Sequence, residues 1–177
     1  MGLICGVDEC RAGWIAVFKD LDAGNVFWEV LTSLVQLAST NPAPQVIAVD
    51  IPIGLPDRGL QDCDLEARKK LGRIGCCVFP APIRDILSAS SYNEACQIRF
   101  RIEGEKISKQ TWGIIPKIRE VDALLRQNPQ VASGVREVHP EVSFFYMNRH
   151  SPLPDGKKTG AGQAQRFTFC SQISALS

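Results

Sequence analysis

Two hydrophobic runs each end in a carboxylate: Leu3-Ile4-Cys5-Gly6-Val7-Asp8 near the start, and Val46-Ile47-Ala48-Val49-Asp50 about a quarter of the way along. Short apolar runs with β-branched residues read as buried strands. If the two lie side by side and parallel, Asp8 and Asp50 emerge at the same sheet edge, where open α/β sheets place their ligands. Carboxylates one strand spacing apart, roughly 5 Å, repel each other. Mg²⁺ or Mn²⁺ is the natural ion to join them, because hard divalent cations take oxygen ligands and bridge carboxylates to phosphates. Such a centre supports in-line phosphodiester hydrolysis. A single Asp behind a strand commonly caps a turn or helix, so the repetition of Val-Asp carries the metal reading.

A third set lies in Arg136-Glu137-Val138-His139-Pro140-Glu141. On an extended strand Glu137 and His139 share a face, and Glu141 follows in the first turn of a helix that Pro140 can start. Histidine can carry protons near neutral pH, and Glu137 could complete a metal set with Asp8 and Asp50. A surface ion pair for Glu137 and dipole compensation by Glu141 are the plainer roles. Cations gather late in the chain. Arg84, Lys117, Lys157 and Lys158 could clamp phosphates if they fold over the acidic edge, although such charges are ordinarily a solvated face. Gln110 and Trp112 combine amide and ring in a way that suits a base or sugar, and Trp112 serves a core equally well.

The elements that must position these residues follow from pattern. Residues 13–18 and 25–30 read as second and third strands joined by Asp20-Leu21-Asp22-Ala23-Gly24 turn chemistry, and Ser33 can cap a short helix before the strand that ends at Asp50. The order is β-β-β-α-β. Residues 52–134 turn helical, with Asp62 or Asp64, and Ser91, as candidate caps, and with helical spacing at Ile118, Val121, Leu124 and Leu125. This segment reads as a helical insertion between the fourth and fifth strands, the fifth lying at 135–139. Residues 151–162 look like a mobile loop, and the chain closes on a polar, Ser-rich tail.

At 177 residues and 45% hydrophobic content the chain suits a single α/β domain. A net charge of +1 excludes a global field for polyanions. Its distribution is uneven, since the first fifty residues carry two bases against six acids. Seven cysteines without a C-x-x-C pair argue against zinc or disulfide frameworks. The start has no basic leader or spanning run, which points to the cytoplasm and no membrane partner. Walker-type, G-x-G-x-x-G and G-x-S-x-G motifs are absent.

Several segments together resemble the domain of unknown function 429 family: Val7-Asp8-Glu9-Cys10-Arg11-Ala12-Gly13-Trp14, Ala48-Val49-Asp50-Ile51-Pro52-Ile53-Gly54-Leu55-Pro56, Val78-Phe79-Pro80-Ala81-Pro82 with Arg84, Gln110 with Trp112-Gly113-Ile114, and Arg136-Glu137-Val138-His139-Pro140-Glu141. The family is described as ribonuclease H-like nucleases on the strength of fold and acids. The resemblance implies a ribonuclease H-like mixed sheet, with the fourth strand parallel to the first and acids on both, the positions of Asp8 and Asp50. It also implies nucleic acid or nucleotide as partner. Lys157-Lys158-Thr159 resembles the family's late motif. Members run on into a last helix bearing an acidic pair. Residues 166–177 carry none here, so the resemblance implies a shortened C-terminus in which Glu137 or Glu141 would have to substitute. Two other readings stay open. An actin-like phosphotransferase of a small molecule would share the core but needs a Gly-rich hairpin, of which only Gly13 is present; the other is a non-catalytic nucleotide-binding module.

Overall fold

The computed structural model describes residues 2–175. Three strands, β1 (Leu3–Cys10), β2 (Gly13–Asp20) and β3 (Val26–Leu31), form an antiparallel meander. A 3₁₀ helix (Leu34–Ser39) then leads to β4 (Val46–Val49). The expected Ser33 cap is present: its hydroxyl accepts from the Val35 amide, and Gln36 completes a capping box. Next come α1 (Asp62–Leu71), α2 (Tyr92–Glu103), α3 (Lys109–Gln127) and α4 (Pro129–Gly134), and the short strand β5 (Val135–Glu137) follows directly. The chain continues through α5 (Pro140–Met147) and α6 (Gly160–Ala175).

The sheet has the order β3-β2-β1-β4-β5, with β4 parallel to both β1 and β5. This is a mixed α/β protein with a five-stranded mixed sheet. Alternation selects the core face. Leu3, Cys5 and Val7 on β1, Trp14, Ala16 and Phe18 on β2, and Ile47 and Val49 on β4 are all buried, and the register places them on one side. Ile115, Ile118, Val121 and Leu124 of α3, with Leu34 and Leu37, cover them. The opposite face stays open. Val17, Val26, Trp28, Val30 and Val46 are exposed there, as a sheet with an antiparallel half permits.

Within the stretch expected to be helical, residues 109–117 are the first half of α3, which runs through Pro116; Ser108 caps it by accepting from the Thr111 amide. Expectation and structure part in three places. β1 does not end at Asp8 but runs on to Cys10. The tail forms α6 rather than a polar extension, because Arg166 anchors it to Glu141 of α5. The 151–162 segment is a loop up to α6, but Leu153 within it is buried. Among the described residues no helix is long and apolar enough to cross a membrane.

One carboxylate ties the helical layer to the sheet. Glu120 of α3 accepts from Trp14 Nε1 at 2.9 Å, Ser33 Oγ at 2.8 Å and the Leu34 amide at 2.7 Å. Burial alone would raise its pKa, but these bonds and nearby Lys117 hold it below the usual range. Glu120→Ala leaves the buried Trp14 N–H unpaired. It is expected to cost about 2 kcal/mol in urea denaturation, with Glu120→Gln recovering part of the loss. A loss of less than about 0.5 kcal/mol for Glu120→Ala would contradict this role.

Candidate functional site

The parallel ladder between β1 and β4 pairs Val7 with Val49, and the Asp50 amide donates to the Val7 carbonyl at 3.3 Å. Asp8 and Asp50 thus sit side by side at the C-terminal end of the β1–β4 ladder, although only Asp50 follows the last residue of its strand; β1 runs on to Cys10, with Asp8 paired to Ile15 inside it. Asp8 is exposed and accepts from the Glu9 amide at 2.7 Å. Asp50 is half-buried, and burial raises its pKa; the charges of Asp8 and Glu9 push the same way, while His139 and Lys157 oppose them.

On the other side of β4, Val49 pairs with Glu137, and the Val138 amide donates to the Val49 carbonyl at 3.0 Å. Glu137 thus stands one register step behind Asp50, on the core-facing side of the sheet. Its Oε2 accepts from the Ile53 amide at 2.8 Å. Gln61 fixes the loop that carries this amide, donating from Nε2 to the carbonyls of Ile53 at 2.7 Å and Gly54 at 3.0 Å. Gly54 sits at φ 69°, a left-handed turn suited to glycine. Burial, followed by the repulsion of Asp64 and Asp50 against the Ile53 hydrogen bond, pushes Glu137 up to about 7.

Asp64 completes the floor. It lies in the first turn of α1, only 5% exposed, and accepts from the Ala81 amide at 2.8 Å. Burial raises its pKa against that bond and the charges of Arg68 and His139. Cys63 Sγ and oxygens of Asp64 and Glu137 all lie within 4.8 Å of one another, the one such group of three among the described residues. Burial and both carboxylates keep the Cys63 thiol protonated at neutral pH. His139 caps the start of α5, with Nε2 3.4 Å from the Cys77 carbonyl and Nδ1 enclosed without a hydrogen-bond partner. If Nε2 carries the proton toward Cys77, Nδ1 keeps a free lone pair.

These groups line one cavity of about 550 Å³ together with Gln110 and Lys157. The remaining sequence candidates are held elsewhere. Glu141 is buried in an ion pair with Arg166, 2.7 Å from Nη2, and does not line the cavity. Arg84 pairs with Asp122 at 3.0 Å. Lys117 donates to the Gly13 carbonyl at 2.7 Å and sits 4.2 Å from the Trp14 ring centre. Trp112 packs on the core with Tyr92 at 6.5 Å, and Lys158 is exposed outside the cavity. Asp64 and Cys63 were missed. An acid in a first helical turn looks like dipole compensation, and only the 5% exposure of Asp64 reveals another role.

The carboxylates have the chemistry that a hard divalent cation takes, although as placed only Asp64 and Glu137, with Cys63, stand within mutual ligating reach. Asp8, Asp50, Asp64 and Glu137 line one space with Lys157 as a cation beside them, and the enclosed His139 Nδ1 is unclaimed by the protein. Oxygen donors that raise one another's proton affinity are what Mg²⁺ or Mn²⁺ relieves.

A mixed α/β sheet with carboxylates on β1, just past β4 and at the end of β5 defines a protein with an acidic cavity beside its parallel strands. The model for the family "Protein of unknown function (DUF429)" matches residues 6–176, and the chain belongs to that family. No curated protein and no solved structure matches it.

The raised Glu137 has a consequence for stability. An acid whose folded pKa exceeds its unfolded value penalises the fold above the folded pKa and not below the unfolded one, so this penalty grows from about pH 4.5 to about pH 7. Glu137→Gln, which can still accept from Ile53, is expected to gain stability relative to the parent by about 2 kcal/mol between pH 5 and pH 8, after allowance for solvent reaching the cavity. Denaturation at both pH values, without divalent cations, checks this. A difference that does not change with pH would contradict it.

Proposed function

We propose that this chain is a divalent-cation-dependent phosphodiesterase of ribonuclease H-like fold, acting on nucleic acid or a nucleotide. The observation that carries this reading is the parallel β1–β4 pairing, which sets Asp8 and Asp50 at one edge with Glu137 on the neighbouring strand. The sheet order β3-β2-β1-β4-β5, with β2 antiparallel, supports the ribonuclease H-like assignment, and the helices between β4 and β5 act as its insertion.

Asp8, Asp50 and Glu137 would hold Mg²⁺ or Mn²⁺, with Asp64 behind Glu137 on the floor. The cation would supply charge neutralisation and polarise the scissile phosphate. Lys157, which lines the same cavity and acts on Asp50, would meet the phosphate, and Gln110 offers both donor and acceptor to a sugar or base. His139 Nδ1 is enclosed and does not meet the attacking water, so as the new P–O bond forms that water would give its proton to solvent, and as the bond to the leaving alcohol breaks that oxygen would take a proton from solvent. Ile53 N–H and Ala81 N–H fix the carboxylate rotamers so that the acids stay aimed at the cavity.

A non-catalytic nucleotide-binding module is the second reading, favoured by α6, which carries no Asp or Glu to add a last ligand. The phosphotransferase reading finds less support, because Arg11 and Ala12 alone connect β1 to β2 and leave no phosphate-cradling hairpin.

Calorimetry with Mn²⁺ and hydrolysis of bis(p-nitrophenyl) phosphate separate these readings. The expected result is Mn²⁺ binding and Mn²⁺-dependent turnover, with Asp50→Asn lowering turnover at least about 100-fold. Mn²⁺ and nucleotide binding without turnover would leave the binding module. Absence of Mn²⁺ binding would sink the metal centre.

A further inference from the structure

Depth, volume and wall chemistry together restrict what can reach the acids. Asp8 is exposed at the lip, Asp50 is half-buried, and Asp64 is buried on the floor beside Glu137. The cavity of about 550 Å³ falls within the range that encloses a small ligand, roughly 300–1,000 Å³. Its walls come from α1, α3 and α5 through Ala67, Ile114, Val142 and Tyr146, and from the irregular segment that carries Val78 and Phe79. A phosphate in the middle of a duplex carries stacked neighbours on both sides and a partner strand. A cavity of about 550 Å³ has no room for those neighbours beside the nucleotide that the acids engage. A chain end has a free side and can enter alone.

The walls also offer a place for one base. Phe79 is 41% exposed, lines the cavity, and enters no ring or cation contact among the described residues. Tyr146, on the same cavity, is already in edge contact with His150 at 5.2 Å. Phe79 is therefore the ring with a face to give. An aromatic face stacks on any base, and Gln110 at the lip can hydrogen-bond without fixing which base it is.

We infer that the substrate enters this cavity as one terminal nucleotide of a single strand, stacked on Phe79, so that hydrolysis proceeds from a chain end. The inference rests on the phosphodiesterase reading above and assigns its substrate class. In the reaction, water adds to the terminal phosphodiester phosphorus and the P–O bond to the penultimate nucleoside breaks. That oxygen leaves protonated, and one mononucleotide is released.

The test uses the full chain with Mn²⁺ and three substrates: a linear single-stranded oligonucleotide, the same sequence covalently closed, and a blunt RNA–DNA hybrid. The expected result is stepwise release of mononucleotides from the linear strand, with the closed circle and the hybrid cut at least about 50-fold more slowly. Phe79→Ala, at an exposed position where folding is not at stake, is expected to raise KM for the linear strand about tenfold with kcat changed less than about twofold. Internal cutting of the circle or hybrid at the linear rate would overturn the inference while leaving the phosphodiesterase intact, as would an unaltered KM in Phe79→Ala. Failure to cut any of the three overturns the phosphodiesterase reading and this inference with it.

Discussion

Repulsion among carboxylates gathered at one sheet edge is the constraint around which this molecule is built. Asp50, Asp64 and Glu137 are all raised above their ordinary pKa values, with burial the first cause in each case. Glu137 feels both Asp64 and Asp50, and Asp50 feels Asp8 and Glu9. A fold selected for stability alone would not bring these groups together, since each buried charge without a counter-ion disfavours the native state. Their convergence therefore points to a purpose at the site rather than to packing.

The scaffold holds this arrangement through devices at some distance from it. Glu120 locks Trp14 and the 3₁₀ helix to α3. Gly134 lets the chain entering β5 pass close to β4, since a Cβ there would lie 2.9 Å from the Gln45 carbonyl. Without that approach β5 could not pair with β4, and Glu137 would leave the cavity. Leu71, Val78 and Phe145 form a smaller core that joins α1 to α5 beside the acids. On the open sheet face, Val17, Val26, Trp28, Val30 and Val46 do not line the cavity.

Much of the fold was legible in the sequence, because alternation and capping are local. The order of three strands, a short helix and a fourth strand, the Ser33 and Ser91 caps and the placement of Asp50 just past its strand follow from periods of two and from side-chain acceptors near helix starts, whereas β1 overran its expected end at Asp8 and runs to Cys10. What escaped was partnership across long separations. Glu141 looked like a ligand by its nearness to His139, yet Arg166, 25 residues on, claims it. Lys117 looked like a phosphate clamp, yet it serves the Gly13 carbonyl 104 residues away. Asp64 went unseen for the converse reason: its local role as a first-turn acid was sufficient, and its burial against Ala81 is a tertiary fact.

The proposed chemistry turns on a cation that Asp8 and Asp50 share with Glu137. The most direct measurement is anomalous diffraction at the manganese absorption edge from crystals grown with Mn²⁺. The expected result is a peak within bonding distance of carboxylate oxygens of both Asp8 and Asp50, lost in Asp50→Asn. A cavity with no peak, or a peak held only by Cys63, Asp64 and Glu137 with Asp8 and Asp50 unengaged, would contradict it.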